Sequence, residues 1–405
     1  MRILHTSDWH LGQHFMGKTR QGEHAAFLEW LVSQVELQQI DAVLVAGDIF
    51  DTGTPPSYAR ELYHNFVVAM SRAGTSLVLL GGNHDSVAML NESRELLGAL
   101  KVQVIPGAMA EPEQQIITLV DRTGEPGAVL CAIPFLRPRD LLESRAGDSA
   151  DDKGRALQQA IAGHYQQLFE RAQKRRAELG NELPVIATGH LTTVGASSSD
   201  SVREIYIGTL EAFPASAFPP ADYIALGHIH KPQKVGGCEH IRYSGSPLAL
   251  SFDESGQQKE VLVVEFSNHG LQGIAPLPVP VFQPMMRVKG SLEELELRLP
   301  EAAMAGAGER PVWLEVTVTE DDYLSDLQAR VQTLCEGLAV EVLMVRRGRS
   351  ERSAVLVAEQ KETLSELTPQ QVFERRLATE VIQPEEEAEL NDLYVQVLAS
   401  LEEHT

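Results

Sequence analysis

The sequence predicts an α/β layered domain, then a small α+β domain, then a C-terminal pair of helices. Three observations carry this reading. Short β-rich apolar runs alternate with amphipathic stretches over the first 270 or so residues. At "LPVPVFQP", residues 277–284, proline density rises and the pattern changes. The last forty residues read as helices with recognisable start signals.

In the first part the runs are Ile3 to His5, Ala42 to Ala46, Leu77 to Leu80, Val129 to Ile133, Val185 to Ala187, Tyr223 to Leu226 and Val261 to Phe266. Helix-like segments lie between them, among them Ala25 to Leu37, Ser57 to Met70 and Gly154 to Leu179. The stripe Leu62, Phe66 and Met70 suits either a second copy of the chain or the sheet of its own domain. Many of the runs end in a glycine or polar cluster, where ligand sites of layered sheets tend to lie. This part is assigned to residues 1–275. A domain over 283–348 follows. It has a strand at Met286 to Val288, a helix opened by the capping box Ser291 to Glu294, and an alternating, half-buried strand at Val312 to Val318. A helical face of Leu324, Leu327, Val331 and Leu334 then precedes "VEVLMV". In the segment 364–405, Thr368 is an N-cap, Pro369 a first helical residue and Gln371 completes a capping box. After Pro384, the positions Leu390, Leu393, Tyr394, Val397, Leu398 and Leu401 form one apolar stripe.

A chain of 405 residues exceeds one hydrophobic core, so two or three domains are expected. With 43% hydrophobic and 22% charged residues it is globular rather than disordered or fibrous. No apolar run approaches the roughly 20 residues of a membrane span. "MRILHTSD" enters a strand without the regions of a signal peptide, which places the chain in the cytoplasm. Cys131, Cys238 and Cys335 are too scattered for a disulfide framework or a cysteine metal site, so any metal must be held by nitrogen and oxygen. The net charge of -23 argues against coating nucleic acid by bulk electrostatics. It is unevenly placed, however: residues 366–405 carry ten Asp or Glu against two Arg.

Five short stretches put Asp, His or Asn where a strand ends. They are "SDWH" with Asp8 and His10, "AGDIFD" with Asp48 and Asp51, "GGNHD" with Asn83, His84 and Asp85, "TGH" with His190, and "GHIH" with His228 and His230. Each alone is weak, but the ordered series is hard to obtain by accident. Borderline divalent metals favour imidazole and carboxylate, and a catalytic site leaves positions open. Two metals about 3.5–4 Å apart need a bridging carboxylate and clamp a phosphoryl group during in-line displacement. Asp8, His10, Asp48, Asn83, His190, His228 and His230 make seven ligands, and if Asp48 bridges, each metal has four. His84 adjoins a ligand, so it suits donation of a proton or stabilisation of developing charge, and the neighbouring carboxylate of Asp85 suits fixing its tautomer.

This series resembles the calcineurin-like metallophosphoesterase superfamily. "ILHTSDWHLG", "VAGDIFDTGTPP", "GGNHDS", "CAIPFLRPRD", "ATGHLTTVGASSSDS" and "IALGHIHKPQ" are similar, within it, to the nuclease subunits of bacterial double-strand-break repair complexes. The resemblance is specific over about the first 270 residues and looser beyond. It implies a layered β-sandwich flanked by helices, a small capping domain and a helical docking segment. It implies that Asp8, His10, Asp48 and His230 hold one metal, that Asp48, Asn83, His190 and His228 hold the other, and that manganese is favoured. It also makes His84 the transition-state histidine, oriented by Asp85. Related chains commonly have histidine where this one has Asp51, which points Asp51 toward hydrogen bonding behind the ligands.

The implied activity is hydrolysis of DNA, as exonuclease on duplex ends and as endonuclease on single strands and hairpins. The implied partners are DNA, a second copy of the chain, and an SMC-like coiled-coil ATPase docked on the C-terminal helices. A stand-alone phosphoesterase for nucleotides or phosphoproteins would use the same metal motifs, but it would need neither "FLRPRD" nor "GHLTTVGASSSDS" nor the two C-terminal segments. A non-catalytic scaffold is disfavoured because every ligand position holds a competent residue. Arg137, Arg139, Arg346, Arg347, Arg349 and Arg352 are candidates for phosphate contact.

Overall fold

The structure, a computed structural model, describes residues 1–142, 150–180, 182–199, 201–202, 212–306, 310–319 and 326–348. The predicted helix pair of 364–405, with Leu324, Arg349 and Arg352, lies outside the described residues. The chain divides into two compact units. The first comprises Met1–Val288, Leu299–Glu315 and Cys335–Met344, and the second includes Lys289–Arg298 and Val316–Leu334.

The first unit opens with β1 (Arg2–Thr6), a short hairpin of β2 (His14–Phe15) and β3 (Lys18–Thr19), and α1 (Gln21–Leu37). There follow β4 (Ala42–Val45), α2 (Ser57–Ala73), β5 (Ser76–Leu80), α3 (Val87–Glu92), α4 (Arg94–Ala99) and β6 (Val102–Ile105). Next come β7 (Ile116–Val120), β8 (Pro126–Cys131), α5 (Pro138–Leu141), α6 (Ala150–Glu178), β9 (Val185–His190) and β10 (Tyr223–Gly227). The run ends in β11 (Gln233–Val235), β12 (Cys238–Tyr243), β13 (Glu260–Ser267) and β14 (Gly270–Pro278).

These strands form two six-stranded sheets, ordered β14-β13-β1-β4-β5-β6 and β11-β12-β10-β9-β8-β7. Within them β1, β4, β5 and β6 are parallel, as are β8, β9, β10 and β12. Parallel strands carry covers on both faces, so they read as continuous apolar runs. The period of two sorts those side chains by face. Ile3, Ala42, Leu44, Val78, Leu80, Leu130, Ile186 and Ala225 share one core, in which side chains of both sheets meet. Their alternates Leu4, Val43, Val45, Leu77 and Leu79 pack with Phe27, Leu31, Phe66 and Met70 of α1 and α2. Val129, Val185, Ile224 and Leu226 pack with Leu157, Ile161, Tyr165 and Leu168 of α6. The result is a four-layer sandwich, as the layered fold class requires. Phe66 and Met70 are buried in this core and Leu62 packs against it, so the α2 stripe covers the chain's own sheet.

Every predicted run is a strand. β6, β7, β11, β12, β14 and the hairpin are not among the predicted runs; β11 and the hairpin strands are two or three residues long, and in "CEHIRY" of β12 only Ile241 and Tyr243 are buried.

The remaining strands, β15 (Met285–Gly290), β16 (Val312–Val318) and β17 (Val340–Arg347), form a sheet in that order, with α7 (Leu292–Met304) and α8 (Leu327–Leu334) between them in sequence. The capping box is present: Glu294 N–H donates to Ser291 Oγ at 3.3 Å, and Ser291 N–H donates to Glu294 Oε2 at 3.0 Å. β16 is more buried than its alternation suggests. On one face Trp313 stacks on Phe15 and Glu315 pairs with Arg287 at 2.6 Å, while Val312, Leu314, Val316 and Val318 are buried on the other, so both faces of this central strand are covered.

Leu44 is fully buried where the two sheets meet. Leu44→Ala should lower unfolding free energy by about 2–5 kcal/mol in urea titrations. Truncating the exposed Leu297 should change it by less than about 0.5 kcal/mol.

Candidate metal centre

Four of the motifs follow β1, β4, β5 and β10 and the fifth ends β9, so their side chains gather at the carboxyl ends of parallel strands from both sheets. The chain turns sharply there. Asp8, His10, Asp48 and His228 have φ of 54°, 48°, 49° and 96°, a left-handed region that side chains with a Cβ rarely adopt. Backbone bonds hold these turns: Asp8 N–H donates to Gly47 O at 3.0 Å and His10 N–H to Asp48 O at 3.1 Å. His228 N–H donates to the carboxylate of Asp8 at 2.9 Å. The flanking glycines are spatial necessities. A Cβ on Gly47 would lie 2.2 Å from His190 Nδ1, and one on Gly82 would lie 2.1 Å from Asp48 Oδ1.

All seven expected ligands come together. Asp8, His10 and His230 bring one donor atom each within 4.8 Å of one another, and so do Asp48, His190 and His228. Asp48 Oδ2 stands between the sets, 3.2 Å from His190 Nε2 and 3.7 Å from His10 Nε2. Asn83 Oδ1 lies 2.8 Å from His190 Nε2 and 3.1 Å from His228 Nδ1. The buried Nε2 atoms of His10 and His228 have no hydrogen-bond partner. Unpaired buried nitrogens beside carboxylates at near-ligand spacing fit divalent metal ions.

The charges point the same way. Burial opposes ionisation of Asp48, yet His190, His10 and His84 hold its carboxyl well below the usual range. Burial also pulls His190 down, but Asp48 overrides it and raises that imidazole to about 9. Burial and the neighbouring His190 push His228 well below its ordinary value. A divalent cation between these clustered carboxylates and imidazoles would satisfy all of them at once.

The backs of the ligands are held as well. His190 Nδ1–H donates to Ala46 O at 2.9 Å, His10 Nδ1 lies 3.1 Å from Asp51 Oδ1, and Ser7 Oγ–H donates to Asp8 at 2.6 Å. Asp51 therefore hydrogen-bonds behind a ligand. His230 Nδ1 faces Ser201 Oγ at 2.6 Å and Glu254 Oε1 at 3.2 Å. Beneath the site His5 joins the sheets: its Nε2–H donates to Leu226 O at 3.2 Å, and Nδ1 accepts from Tyr223 at 2.9 Å. Burial lowers its pKa to about 3. Sequence reasoning missed His5, Ser7, Ser201 and Glu254. Ser201 belongs to the stretch "GHLTTVGASSSDS", which marks it as unusual without giving it a role, and nothing in "SFDESG" marks Glu254.

Asp85 needs a correction. Its carboxylate accepts from the backbone N–H groups of Gly82, Phe50 and Ile49 at 2.8, 2.9 and 3.1 Å, so it fastens the Asn83-bearing loop to the loop after β4. Burial and the nearby Asp48 charge raise it to about 6 against those bonds. The ring of His84 is oriented by the main-chain carbonyl of Asp51, 2.7 Å from Nδ1, while His84 N–H donates to Asp48 Oδ1 at 2.9 Å. Of the basic candidates, Arg137 donates to Asp85 O at 3.1 Å and lies over the ring of Phe135, and Arg139 is exposed beside Asp140.

A two-sheet sandwich whose strand ends gather four histidines, an asparagine and two aspartates, one of them shared between the donor sets, defines a phosphoesterase of the dimetal class. The family model described as calcineurin-like phosphoesterase matches residues 1–232, and one described as type 5 capsule protein repressor C-terminal domain, of SbcD type, matches residues 281–381. The chain is 54% identical to the SbcD component of the SbcCD nuclease of Escherichia coli strain K12, over 99% of its own length and 98% of that protein's. The counterpart of the same name from Rhodobacter capsulatus is 34% identical, over 92% of this chain and 93% of its own. That of Bacillus subtilis is 35% identical, over 65% and 66%. The chain belongs to the calcineurin-like phosphoesterase family and, within it, to the SbcD branch. Among the described residues, no helix is long and apolar enough to cross a membrane.

Because Asp48 lies between the two donor sets, Asp48→Ala should reduce occupancy of both metals, whereas His10→Ala should chiefly reduce one. Metal content of the purified variants, measured by plasma mass spectrometry, checks this; two-metal binding that survives Asp48→Ala would refute the shared role.

Proposed function

We propose that this protein is a metal-dependent DNA nuclease: an exonuclease on double-stranded DNA and an endonuclease on single strands and hairpins. The observation that carries the proposal is the gathering of seven donor residues, with the carboxylate of one of them, Asp48, between the two sets. Asp8, His10, Asp48 and His230 would hold one metal, and Asp48, Asn83, His190 and His228 the other. The all-nitrogen-and-oxygen donor set suits manganese. When bound, the pair supplies Lewis acidity and an activated nucleophile for in-line attack on a phosphodiester.

The chain's own groups do the rest. The Asp51 carbonyl can only accept, so Nδ1 of His84 carries hydrogen and Nε2 is the nitrogen that exchanges a proton with the leaving oxygen. Asp85 keeps that histidine's loop against the loop after β4 through three backbone amides. Arg137 and Arg139 remain candidates for backbone phosphates. Identity along nearly the whole chain, together with the C-terminal family match, favours this reading over a stand-alone phosphoesterase.

The relatives are named as subunits of an SbcCD nuclease. By extension, this chain would work as a homodimer with an SbcC-like SMC-type coiled-coil ATPase in a heterotetramer, in the cytoplasm at the nucleoid. Its roles would be DNA repair, recombination and replication. The proposed boundaries are 1–275 for the nuclease, 283–348 for the capping domain and 364–405 for the segment that docks the ATPase through Leu390, Leu393, Tyr394, Val397, Leu398 and Leu401.

His84→Gln should retain both metals and lose ~10²-fold or more in cleavage rate, the scale of general acid catalysis. Single-turnover assays with manganese check this, and wild-type cleavage by the metal-loaded variant would make His84 structural. Truncation before Leu364 should abolish co-purification with the ATPase while manganese-dependent cleavage of single strands stays measurable. Unchanged affinity for the ATPase would remove the docking role from these residues.

A further inference from the structure

His230 is the ligand whose surroundings the motifs do not explain. A carboxylate and an ammonium, both buried, stand behind it: Glu254 is 0% and Lys259 6% exposed. Glu254 closes a 3-10 turn over Phe252–Glu254, and Lys259 comes just before β13. His230 Nδ1–H is shared between Ser201 Oγ at 2.6 Å and Oε1 of Glu254 at 3.2 Å, and the same Oε1 takes the hydroxyls of Ser201 and, at 2.6 Å, of Ser199. Oε2 takes Lys259 Nζ at 2.7 Å and the Leu250 N–H at 3.0 Å. Lys259 Nζ also donates to the His230 carbonyl at 3.1 Å and to Ser246 Oγ at 3.0 Å. The pair therefore grips this ligand twice, by its ring and by its main chain.

A buried ion pair is rarely more stabilising than an apolar pair of the same volume, so fold stability alone does not account for one here. Direction does. An imidazole whose second nitrogen donates to a buried carboxylate is fixed in tautomer and orientation and becomes a better electron-pair donor. We propose that Glu254 and Lys259 are positioning residues for His230, and that they set metal affinity at the Asp8/His10/His230 site but not at the Asp48/His190/His228 site. The inference rests on the two-metal reading above. It also ties Ser199 and Ser201 to that metal, because their hydroxyls share the same carboxylate oxygen.

The test is Mn²⁺ equilibrium dialysis of the full chain in two backgrounds, His228→Ala, which leaves the His230 site, and His10→Ala, which leaves the other. Adding Glu254→Gln should weaken the remaining Mn²⁺ about 10–100-fold in the first background, the usual effect of losing such a partner. It should leave affinity unchanged in the second. Should Glu254→Gln fold poorly, the double variant Glu254→Gln/Lys259→Met, with no unpaired buried charge, carries the same comparison. Equal weakening in both backgrounds, or none in either, would overturn the positioning role. If the unaltered chain bound no Mn²⁺, the two-metal reading itself would fall, and this inference with it.

Discussion

The arrangement depends on one carboxylate. Asp48 sits at the end of β4, on a residue with φ of 49°, and it is buried among His10, His84 and His190. Burying an anion is costly unless cations or donors surround it. Here the compensation is also the chemistry. The histidines that keep Asp48 ionised include two of those proposed as metal ligands, His10 and His190, and the amide of His84 is fixed by the same carboxylate. Side chains from five strand ends are thereby constrained to one place.

The sandwich makes that convergence possible. Parallel strands covered on both faces have no room for polar side chains along their length, so polar residues concentrate where the strands stop. Because β1, β4 and β5 lie in one sheet and β9 and β10 in the other, donor side chains of opposite sheets meet over the sandwich's edge. Cross-sheet bonds keep them in register: His5 to Tyr223 and Leu226, His190 to Ala46, and His228 to Asp8. The left-handed residues add strain of about 1–3 kcal/mol each, which only a rigid surround sustains.

The ligands are also graded in how they are supported. His190 leans on a backbone carbonyl, His10 on the partly exposed Asp51, and His230 on a buried ion pair. Backing of this kind adjusts how tightly an imidazole binds a metal without changing which residues bind it. Under the proposed assignment, two sites that share Asp48 would differ in affinity.

The layered α/β class and the grouping of the seven side chains expected as metal ligands are legible in the sequence alone. Apolar runs mark buried parallel strands, and a loop that must turn within a few residues while presenting a donor leaves short patterns such as "SDWH", "GGNHD" and "GHIH". The capping box at Ser291 was legible for the same reason, since its partners are three residues apart. What lies behind the ligands was decided only by tertiary structure. Glu254 reaches His230 across 24 residues, and Ala46 reaches His190 across 144, with no local pattern to record either contact. Adjacency in sequence suggests a bond from Asp85 to His84, whereas the fold turns that carboxylate toward the amides of Ile49 and Phe50. Local chemistry follows from spacing along the chain; orientation follows from contacts that exist only after the two sheets have packed.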